Sequence, residues 1–530
     1  MTMPDVRPGL NGVLDPLLPE HLDRIALGVV GGLGLSFGQL DAAIDALSDE
    51  LRAAGVEPGD TIAIVMPNSL EFVIAFLAIT RVRATAAPLN PAYKEGEFAF
   101  FLEDQHAVVV MDLPAERGNA EALAASAALG LPVWDVVADG EGSVSLYATA
   151  PLGPAVATTP VEPESDVALF LHTSGSTSRP KGVPLTHANL LASIGNIGRT
   201  YAFDRNDRSL LVMPLFHVHG LMAGLLAPLA FGASVHLPQS GRFSASTFWR
   251  DVVASGATWY TAVPTIHQIL LTRRAEDYPR DDPPKLRFIR SCSSPLAPAL
   301  LSEMEASFGA PVLEAYAMTE AAHQVASNPL PQHGPHKPGS VGRAQGVDIA
   351  ILDETGTPCP AAAVGEVCIR GSNVTCGYLN NPEANQASFA GGWFHTGDQG
   401  YLDPDGYLFI TGRIKEIINR GGEKISPSRI DEVLLAHPGI AQAVSFAMPD
   451  PKYGEEVAAA IIPKSGVTLT ADELTEFCLR HLSEFQVPKR FYFADSLPMT
   501  GSGKIQRRTV AEHFLASGQH AAASVARASD

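Results

Sequence analysis

Apolar residues in the N-terminal part of the chain recur at two spacings, which predict helices and strands in alternation. Residues 39–54 predict a helix with Ser36 as its N-cap. The apolar face of this helix consists of Leu40, Ile44, Leu47 and Leu51. Residues 61–66 form a short β-rich run, and residues 70–79 predict a second helix. This alternation is typical of a mostly parallel sheet with helices on its faces.

The same alternation continues to about residue 410. It predicts strands at 167–171, 210–214, 258–262 and 286–291, and helices at 188–199, 246–255 and 298–308. Residues 209–241 carry no formal charge, but their prolines and histidines favour buried strands and a short helix over a membrane span. We therefore expect a large α/β domain.

The pattern changes after Gly412. It predicts helices at 428–436 and 471–482 and strands at 441–447 and 457–463. These elements would form a second, smaller α+β unit, and the Ala/Ser-rich residues 517–530 are expected to fray. The chain is thus predicted to fold as an α/β protein with two domains of unequal size.

Composition and charge narrow the class of protein. A chain of 530 residues is too long for a single domain of ordinary size. Hydrophobic residues make up 46% of the chain and charged residues 18%, which is typical of a folded protein. The net charge of -20 argues against a general affinity for nucleic acid or anionic membranes. Five widely spaced cysteines without a C-x-x-C pair argue against a disulfide framework or a zinc site and favour a reducing, cytoplasmic setting. Neither a secretory signal nor a C-terminal peroxisomal tripeptide is predicted.

A polar loop directly follows the predicted strand 167–171. It reads Thr173-Ser174-Gly175-Ser176-Thr177-Ser178-Arg179-Pro180-Lys181-Gly182. Small residues let backbone N–H groups approach phosphate oxygens, and a lysine adds positive charge, so the loop is either a phosphate cradle or a flexible surface turn. Because Lys181 precedes Gly182, the loop is not a Walker A motif, and residues 31–38 miss the dinucleotide-binding glycine pattern.

Four further segments follow this loop in order. They are Tyr316-Ala317-Met318-Thr319-Glu320, Gly392-Trp393-Phe394-His395-Thr396-Gly397-Asp398, Gly412-Arg413-Ile414-Lys415-Glu416 and Pro498-Met499-Thr500-Gly501-Ser502-Gly503-Lys504. The five segments resemble the motifs of the adenylate-forming superfamily, which includes acyl-CoA synthetases and luciferases. The resemblance covers residues 30–515. It implies an AMP-binding and acyl-substrate domain of mixed sheets flanked by helices (1–411), a hinge (412–416) and a small mobile α+β domain with a catalytic lysine (417–530).

The resemblance also implies a reaction and the residues that carry it. ATP and a carboxylic acid would form an acyl-adenylate and pyrophosphate, coenzyme A would then attack the adenylate, and Mg²⁺ would be the metal cofactor. The implied catalytic residues are Lys504, Thr319 and Glu320, with Glu320 as the metal ligand and Lys504 offsetting charge in the transition state. The implied ATP or AMP contacts are Thr173, Ser174, Gly175, Ser176, Thr177, Lys181, Ser293, Glu314, Ala315, Tyr316, Thr319, Asp398, Arg413 and Lys504. Lys415 is the implied hinge residue, and the implied coenzyme A contacts are Gly421, Gly422 and Glu423.

Taken singly, these residues also have structural interpretations. Asp398 suits an ordinary turn, and Lys504 a solvated surface. Glu320 suits the start of a helix, and Arg413 with Lys415 suits an exposed, ion-paired strand. Only the order of the five motifs favours the functional interpretation. A non-catalytic nucleotide-binding protein stays an alternative hypothesis, which predicts that Lys504 is dispensable.

The acid is predicted from the segments between the ATP motifs. A fatty-acyl tunnel would need apolar residues there, whereas this chain has His217, His219, Ser293 and His323. These residues favour a short, polar, anionic acyl group, with His219, Ser293 and His323 around its distal carboxylate. A protonated histidine would neutralise that carboxylate, since an ordinary pKa of about 6.5 leaves histidine partly charged at neutral pH. The alternative for His219 is a neutral core histidine.

Within the superfamily, the chain resembles the oxalate–CoA ligase group of plants and fungi. The resemblance is carried by residues 258–267 and 336–342 and by Ser178 in the phosphate loop. It implies oxalate, ATP and coenzyme A as substrates, with no nucleic acid, membrane or protein partner required. A medium-chain fatty acid or aryl (4-coumarate-like) CoA ligase stays an alternative, as does a luciferase-type or carrier-loading enzyme.

Overall fold

The structure is a computed structural model that describes residues 22–148, 152, 166–173, 180–498, 505–516 and 522–523. Its α-helices are α1 (Phe37–Ala53), α2 (Leu70–Arg81), α3 (Glu95–Asp104), α4 (Ala120–Leu129), α5 (His187–Thr200), α6 (Ala227–Ala230), α7 (Phe248–Ser255), α8 (Pro264–Thr272), α9 (Arg274–Asp277), α10 (Pro298–Phe308), α11 (Pro382–Ser388), α12 (Pro427–Leu435), α13 (Ala471–Leu479) and α14 (Arg507–Ala516). A π-helix spans His219–Leu226, and 3₁₀ turns span Thr319–Ala321, Pro331–His333, Ile414–Glu416 and Glu484–Gln486.

The strands form four sheets. They are β1 (Ile25–Val29), β2 (Gly34–Ser36), β3 (Thr61–Val65), β4 (Thr85–Pro88), β5 (Ala107–Asp112), β6 (Val133–Ala138), β7 (Val144–Tyr147), β8 (Val167–Thr173), β9 (Lys181–Thr186), β10 (Arg208–Leu210), β11 (Ser234–Leu237), β12 (Trp259–Ala262), β13 (Phe288–Ser291), β14 (Val312–Met318), β15 (His323–Ser327), β16 (Arg343–Ala344), β17 (Asp348–Leu352), β18 (Gly365–Arg370), β19 (Phe394–Leu402), β20 (Leu408–Arg413), β21 (Ile418–Arg420), β22 (Glu423–Ile425), β23 (Ile440–Asp450), β24 (Gly454–Pro463), β25 (Arg490–Phe493) and β26 (Ala522–Ala523).

The large N-terminal domain contains three of these sheets. The nine-stranded sheet has the order β16-β15-β14-β13-β12-β10-β11-β1-β2, and the seven-stranded sheet has the order β7-β6-β5-β3-β4-β8-β9. The inner strands of both sheets are parallel, and helices cover them, as the alternating pattern predicts. A four-stranded antiparallel sheet, β17-β18-β19-β20, completes the domain.

Helix α1 confirms the sequence prediction in detail. The Ser36 hydroxyl accepts a hydrogen bond from the Gln39 backbone N–H at 3.2 Å, and the Gln39 side chain accepts one from the Ser36 N–H at 2.9 Å. This reciprocal pair is a capping box. The predicted apolar face is buried against the core; its members are Leu40, Ile44, Leu47 and Leu51.

The predicted strand at 210–214 is wrong, because β10 ends at Leu210. Beyond it, the side chain of Asn68 replaces a neighbouring strand. Its Nδ2 donates to the Met213 carbonyl at 2.9 Å, and its Oδ1 accepts from the Leu215 N–H at 2.9 Å. The rest of the uncharged stretch folds as the π-helix, α6 and β11, in agreement with the prediction of buried short elements. Among the described residues, no helix is long and apolar enough to cross a membrane.

The small C-terminal domain is an α+β unit around β22-β21-β24-β25-β26, with β23 on β24. Helices α12 and α13 pack on it through residues such as Ile430 and Leu474, so the predicted second unit is confirmed. Arg507 at the start of α14 bonds Glu416 at 3.0 Å and Asp431 at 2.8 Å. Ala522–Ala523 pair with β25, and the rest of the tail predicted to fray lies outside the described residues.

Candidate active site

The carboxyl ends of the parallel strands in the nine-stranded sheet collect many of the residues selected from the sequence. His219 begins the π-helix that follows β10, and Ser293 follows β13. Thr319 follows β14, and His323 opens β15. The carboxyl edge of a parallel sheet is where α/β proteins bind ligands. The fold therefore brings together side chains that are far apart in the chain.

The Thr319–Ala321 turn joins β14 to β15, so Thr319, Glu320 and His323 share one tight hairpin. Ala322 has φ +46° and His323 has φ +98°, and Ser293 across the pocket has φ +75°. These left-handed conformations disfavour residues that carry a Cβ, and such strain tends to cluster at functional sites. The surrounding sheet holds the strained backbone in place.

Asp398, Arg413 and Tyr316 form a second cluster. Asp398 and Arg413 are register partners on β19 and β20, and the Arg413 Nε lies 3.0 Å from Asp398 Oδ1. The Tyr316 hydroxyl donates to Asp398 Oδ2. Burial, together with the Asp398 carboxylate, holds the pKa of Tyr316 well above its usual range. A buried carboxylate is thus fixed by one cation and one hydroxyl.

Glu320 and Lys181 lie on either side of Tyr378. The Tyr378 hydroxyl donates to Glu320 Oε1 at 2.9 Å, and Lys181 Nζ lies 4.4 Å from the centre of the Tyr378 ring. Burial raises the pKa of Glu320, and the charges of Arg413 and Lys181 oppose that rise. A buried carboxylate oxygen next to a lysine fits a hard divalent cation accompanied by phosphate.

Two buried histidines, His219 and His323, form a polar cluster with the half-buried Ser293, which we call the polar pocket. Ser293 Oγ lies 3.0 Å from His219 Nδ1, and the rings of His219 and His323 stack with their centres 5.3 Å apart. His323 Nε2 is buried without a hydrogen-bond partner among the described residues. Burial, then the charge of Arg290, holds the pKa values of both histidines well below their usual range. These directions favour neutral rings, which agrees with the neutral alternative for His219 rather than with a protonated histidine.

Several residues that sequence reasoning missed surround this pocket. Arg290 and Thr261 are register partners on β13 and β12, and their side chains are hydrogen-bonded. Gln324 and Tyr201 contact Arg290 from β15 and from the end of α5. The available signal was a charged residue within the short, otherwise uncharged strand Phe288–Ser291.

Other predicted site residues lie elsewhere or outside the description. Ser174, Gly175, Ser176, Thr177 and Lys504 fall outside the described residues, whereas Thr173 and Lys181 pair at the base of the β8–β9 hairpin. Glu314 and Ala315 lie on β14, and His217 precedes the π-helix beside Phe216. Gly421, Gly422 and Glu423 form the turn from β21 to β22, where the Gly421 N–H donates to the Tyr453 carbonyl at 2.9 Å. Lys415 lies in the 3₁₀ turn between the two domains, close enough for its charge to lower the pKa of Lys181, after the larger effect of burial.

Glu366, Cys368 and His395 form a further group, with their possible metal-ligating atoms within 4.8 Å of one another. These atoms bond each other: His395 Nδ1 lies 2.8 Å from Glu366 Oε2 and 3.4 Å from Cys368 Sγ. The other oxygen of Glu366 accepts from the Gly397 N–H at 3.0 Å. The group therefore fixes the turn that precedes Asp398. All five cysteines are described, and none is in a disulfide.

An α/β domain with a buried Tyr–Asp–Arg cluster, a lysine near a buried glutamate and a polar cluster at the ends of parallel strands fits an enzyme that binds a nucleotide and a second substrate. The chain belongs to the AMP-binding enzyme family, whose main domain matches residues 18–379 and whose C-terminal domain matches residues 429–504.

Two curated relatives and one solved structure place the chain within this family. It is 54% identical to the oxalate–CoA ligase of Arabidopsis thaliana, over 96% of this chain and 98% of that protein. It is 47% identical to the oxalate–CoA ligase of Saccharomyces cerevisiae, over 87% and 88%. The crystal structure of ATP-bound MatB from Rhodopseudomonas palustris superposes with a TM-score of 0.83 at 29% identity, covering 95% of this chain and 97% of that one.

Proposed function

We propose that this protein is an AMP-forming oxalate–CoA ligase. In the first step an oxalate oxygen attacks the α-phosphorus of ATP, the bond from that phosphorus to the bridging oxygen breaks, and pyrophosphate leaves. In the second step the sulfur of coenzyme A attacks the acyl carbon, loses its proton, and AMP leaves with the electron pair of the broken C–O bond. The products are oxalyl-CoA, AMP and pyrophosphate.

The observation that carries the proposal is the polar pocket beside the Thr319–Glu320 turn. His219, Ser293 and His323 place hydrogen-bonding atoms where a fatty-acyl chain would need apolar walls. Oxalate keeps one carboxylate after the other is adenylated, so its site needs donors within a short reach. The identity to two oxalate–CoA ligases supports the same acid.

The nucleotide part of the proposal assigns roles by charge. Asp398, with Tyr316 and Arg413, would accept hydrogen bonds from the ribose hydroxyls, and Glu314 and Ala315 would lie along the adenine. Lys181 and the hydroxyls from Thr173 to Thr177 would hold the outer phosphates. Glu320 would bind Mg²⁺, which neutralises phosphate charge. Thr319 would contact the α-phosphate, and Lys504 would offset the charge of the transition state.

The remaining assignments concern the small domain. We assign residues 1–411 to the large domain, 412–416 to the hinge and 417–530 to the small domain, with Lys415 as the residue about which it turns. The turn Gly421-Gly422-Glu423 would contact coenzyme A in the second step. Five free cysteines support a reducing, cytoplasmic location.

Initial rates of pyrophosphate release test the acid. Purified protein with ATP, Mg²⁺ and coenzyme A would be given oxalate, malonate, octanoate or 4-coumarate in separate assays. We expect oxalate to have the highest kcat/KM. A higher value for octanoate or 4-coumarate would reject oxalate and favour a fatty or aryl acid.

A Lys504→Ala variant tests the enzyme class. We expect it to lose acyl-AMP formation by about 10²–10³-fold, because one donor to the transition state is removed. Lys489→Ala, another small-domain lysine, is the matched control. Unchanged acyl-AMP formation in Lys504→Ala would reject this role for Lys504, and a wild-type protein that forms no acyl-AMP would favour the non-catalytic alternative.

A further inference from the structure

Arg290 is a buried cation without an acidic partner. It is 0% exposed, yet no carboxylate of the described residues lies within ion-pair distance of it. Its guanidinium donates to three neutral oxygens: the Tyr201 hydroxyl at 2.7 Å, Thr261 Oγ1 at 3.2 Å and Gln324 Oε1 at 3.2 Å. The Cys292 thiol is a further side-chain partner, and it is not a carboxylate. Arginine keeps its proton in proteins, so burial cannot neutralise this group. An unpaired buried charge is costly, which indicates that an anion is the missing partner.

The hydrogen bonds of Thr261 determine which atoms donate and which accept between Arg290 and His219. A guanidinium only donates, so Thr261 Oγ1 must accept from Arg290. The other partner of this hydroxyl is His219 Nε2, at 2.6 Å. The hydroxyl proton needs an acceptor, and the lone pair of Nε2 is the one available among the described residues.

The same reasoning then fixes the next two groups. With Nε2 as acceptor, the single proton of neutral His219 lies on Nδ1. That nitrogen donates to Ser293 Oγ, 3.0 Å away. The proton of Ser293 is then free to point into the pocket, where an anionic oxygen accepts it. The opposite direction would leave Ser293 presenting a lone pair, which repels a carboxylate.

We propose that Arg290 determines the specificity for an anionic acyl group by orienting the relay Arg290–Thr261–His219–Ser293 so that every proton points toward the distal carboxylate of the acid. Arg290 is thus a positioning residue that acts through Thr261. This inference rests on the proposed function, since it concerns the same acid site. In this arrangement the positive charge near the acid comes from Arg290, and the histidines act as neutral donors.

The relay also explains how an uncharged acid tail would be rejected. An acid whose tail is a methyl group gives Ser293 and His323 no acceptor in a buried pocket. Unpaired buried polar groups discriminate strongly against such analogues, often by more than about 10²-fold. Selectivity would therefore come from donors left unpaired as well as from attraction to the anion.

Thr261→Val tests the relay because valine keeps the shape of threonine and removes its hydroxyl, and Thr261→Ser is the matched control that retains it. We expect Thr261→Val to raise the KM for oxalate at least about tenfold, with the KM for ATP within about twofold of wild type. Thr261→Ser should stay close to wild type. An unchanged KM for oxalate in Thr261→Val, in an enzyme that prefers oxalate, would overturn the relay.

The tautomer of His219 gives a readout that needs neither activity nor oxalate. In protein labelled with ¹⁵N-histidine, the resonances that disappear in His219→Gln would identify this ring. We expect the proton on Nδ1 in wild type, and its redistribution toward Nε2 in Thr261→Val. A wild-type proton on Nε2 would contradict the relay even if oxalate is the substrate. If the wild type instead prefers another acid, the proposed function fails while this measurement still decides the relay.

Discussion

Two arginines of the candidate active site have opposite environments. Arg413 has a side chain that is 47% exposed, and it pairs directly with the Asp398 carboxylate. Arg290 is fully buried, and its side-chain partners are three neutral oxygens and the Cys292 thiol rather than a carboxylate. The first cation is balanced within the protein, so it serves to hold an acid in place. The second is balanced only when an anionic ligand arrives.

Glu314 adds a third case to this comparison. It is buried on β14, its Oε1 accepts from the Leu296 N–H at 2.9 Å, and its Oε2 has no partner among the described residues. Burial raises the pKa of Glu314 to about 8, so the group is mostly neutral at pH 7. A carboxyl group escapes an apolar environment by taking up a proton, whereas a guanidinium cannot lose one. A buried Glu314 without an ionic partner therefore needs no ligand, whereas a buried Arg290 without one indicates that an anion binds nearby.

The largest effect should come from removing each cation in turn. We expect Arg290→Met to lower kcat/KM for oxalate by about 10²–10³-fold and to change kcat/KM for acetate much less. Arg413→Met should lower kcat/KM equally for both acids, by about tenfold, because a half-exposed arginine contributes less than a buried one. Steady-state kinetics with the two acids measures the difference. Equal losses for both acids in Arg290→Met would remove the distinction between the two arginines.

The Asp398→Asn variant tests whether the Asp398–Arg413 pair serves ATP binding and not acid selection. Asparagine keeps the shape but removes the charge that faces Arg413 and changes the acceptor of Tyr316. We expect the KM for ATP to rise by about 10–10²-fold, with the ratio of oxalate to acetate turnover unchanged. Asp405→Asn, at an exposed position in the turn after β19, is the control. A change in acid preference would show that the two clusters are coupled.

Glu314 predicts a pH dependence of stability. Its folded pKa of about 8 exceeds the ordinary value of 4.5, so the folded state holds more protons than the unfolded state between these values. The free energy of unfolding should therefore fall as pH rises through this window, by at most about 1.4 kcal/mol per pH unit. Glu314→Gln should remove this dependence, measured by urea denaturation at several pH values.

Glu303→Gln, on the exposed face of α10, should follow the wild-type pH profile. Identical pH profiles for wild type and Glu314→Gln would contradict a neutral Glu314. That outcome would also weaken the contrast between a carboxyl group and a guanidinium in the same sheet.

The smallest expected effect concerns backbone strain near His323. Ala322 has φ +46°, so Ala322→Gly should stabilise the protein by about 1 kcal/mol. Ala202 also has φ +46°, on an exposed loop, and Ala202→Gly is the matched control. Both variants should gain similar stability in urea denaturation, but only Ala322→Gly should raise the KM for oxalate. A loss of stability in Ala322→Gly alone would show that the methyl group packs usefully there.

Local patterns predicted the elements well where local interactions decide them. The spacing of Leu40, Ile44, Leu47 and Leu51 and the Ser36 cap predicted α1 at 39–54, close to the observed Phe37–Ala53, and α10 was predicted at its observed limits. The strand at 210–214 failed because Asn68, distant in sequence, supplies its partners. The sequence around 210–214 contains no pattern that predicts hydrogen bonds to the distant Asn68 side chain.

The candidate site divides in the same way. Motifs selected Asp398, Arg413 and Tyr316, and the structure brings these three together. Arg290 was visible as a charge in an apolar strand, but its lack of an acidic neighbour depends on β12, β15 and α5 packing around it. The neutrality of His219 and His323 likewise follows from burial and from Arg290, which spacing does not encode.

The Asn68 side chain also has a chemical consequence for the lifetime of the protein. Asparagine followed by a small residue such as Ser69 is prone to deamidation, which converts the amide into a carboxylate. The donor that now faces the Met213 carbonyl would become an acceptor, and the two oxygens would repel each other. Deamidation of Asn68 would therefore remove the anchor of the segment that leads to His219.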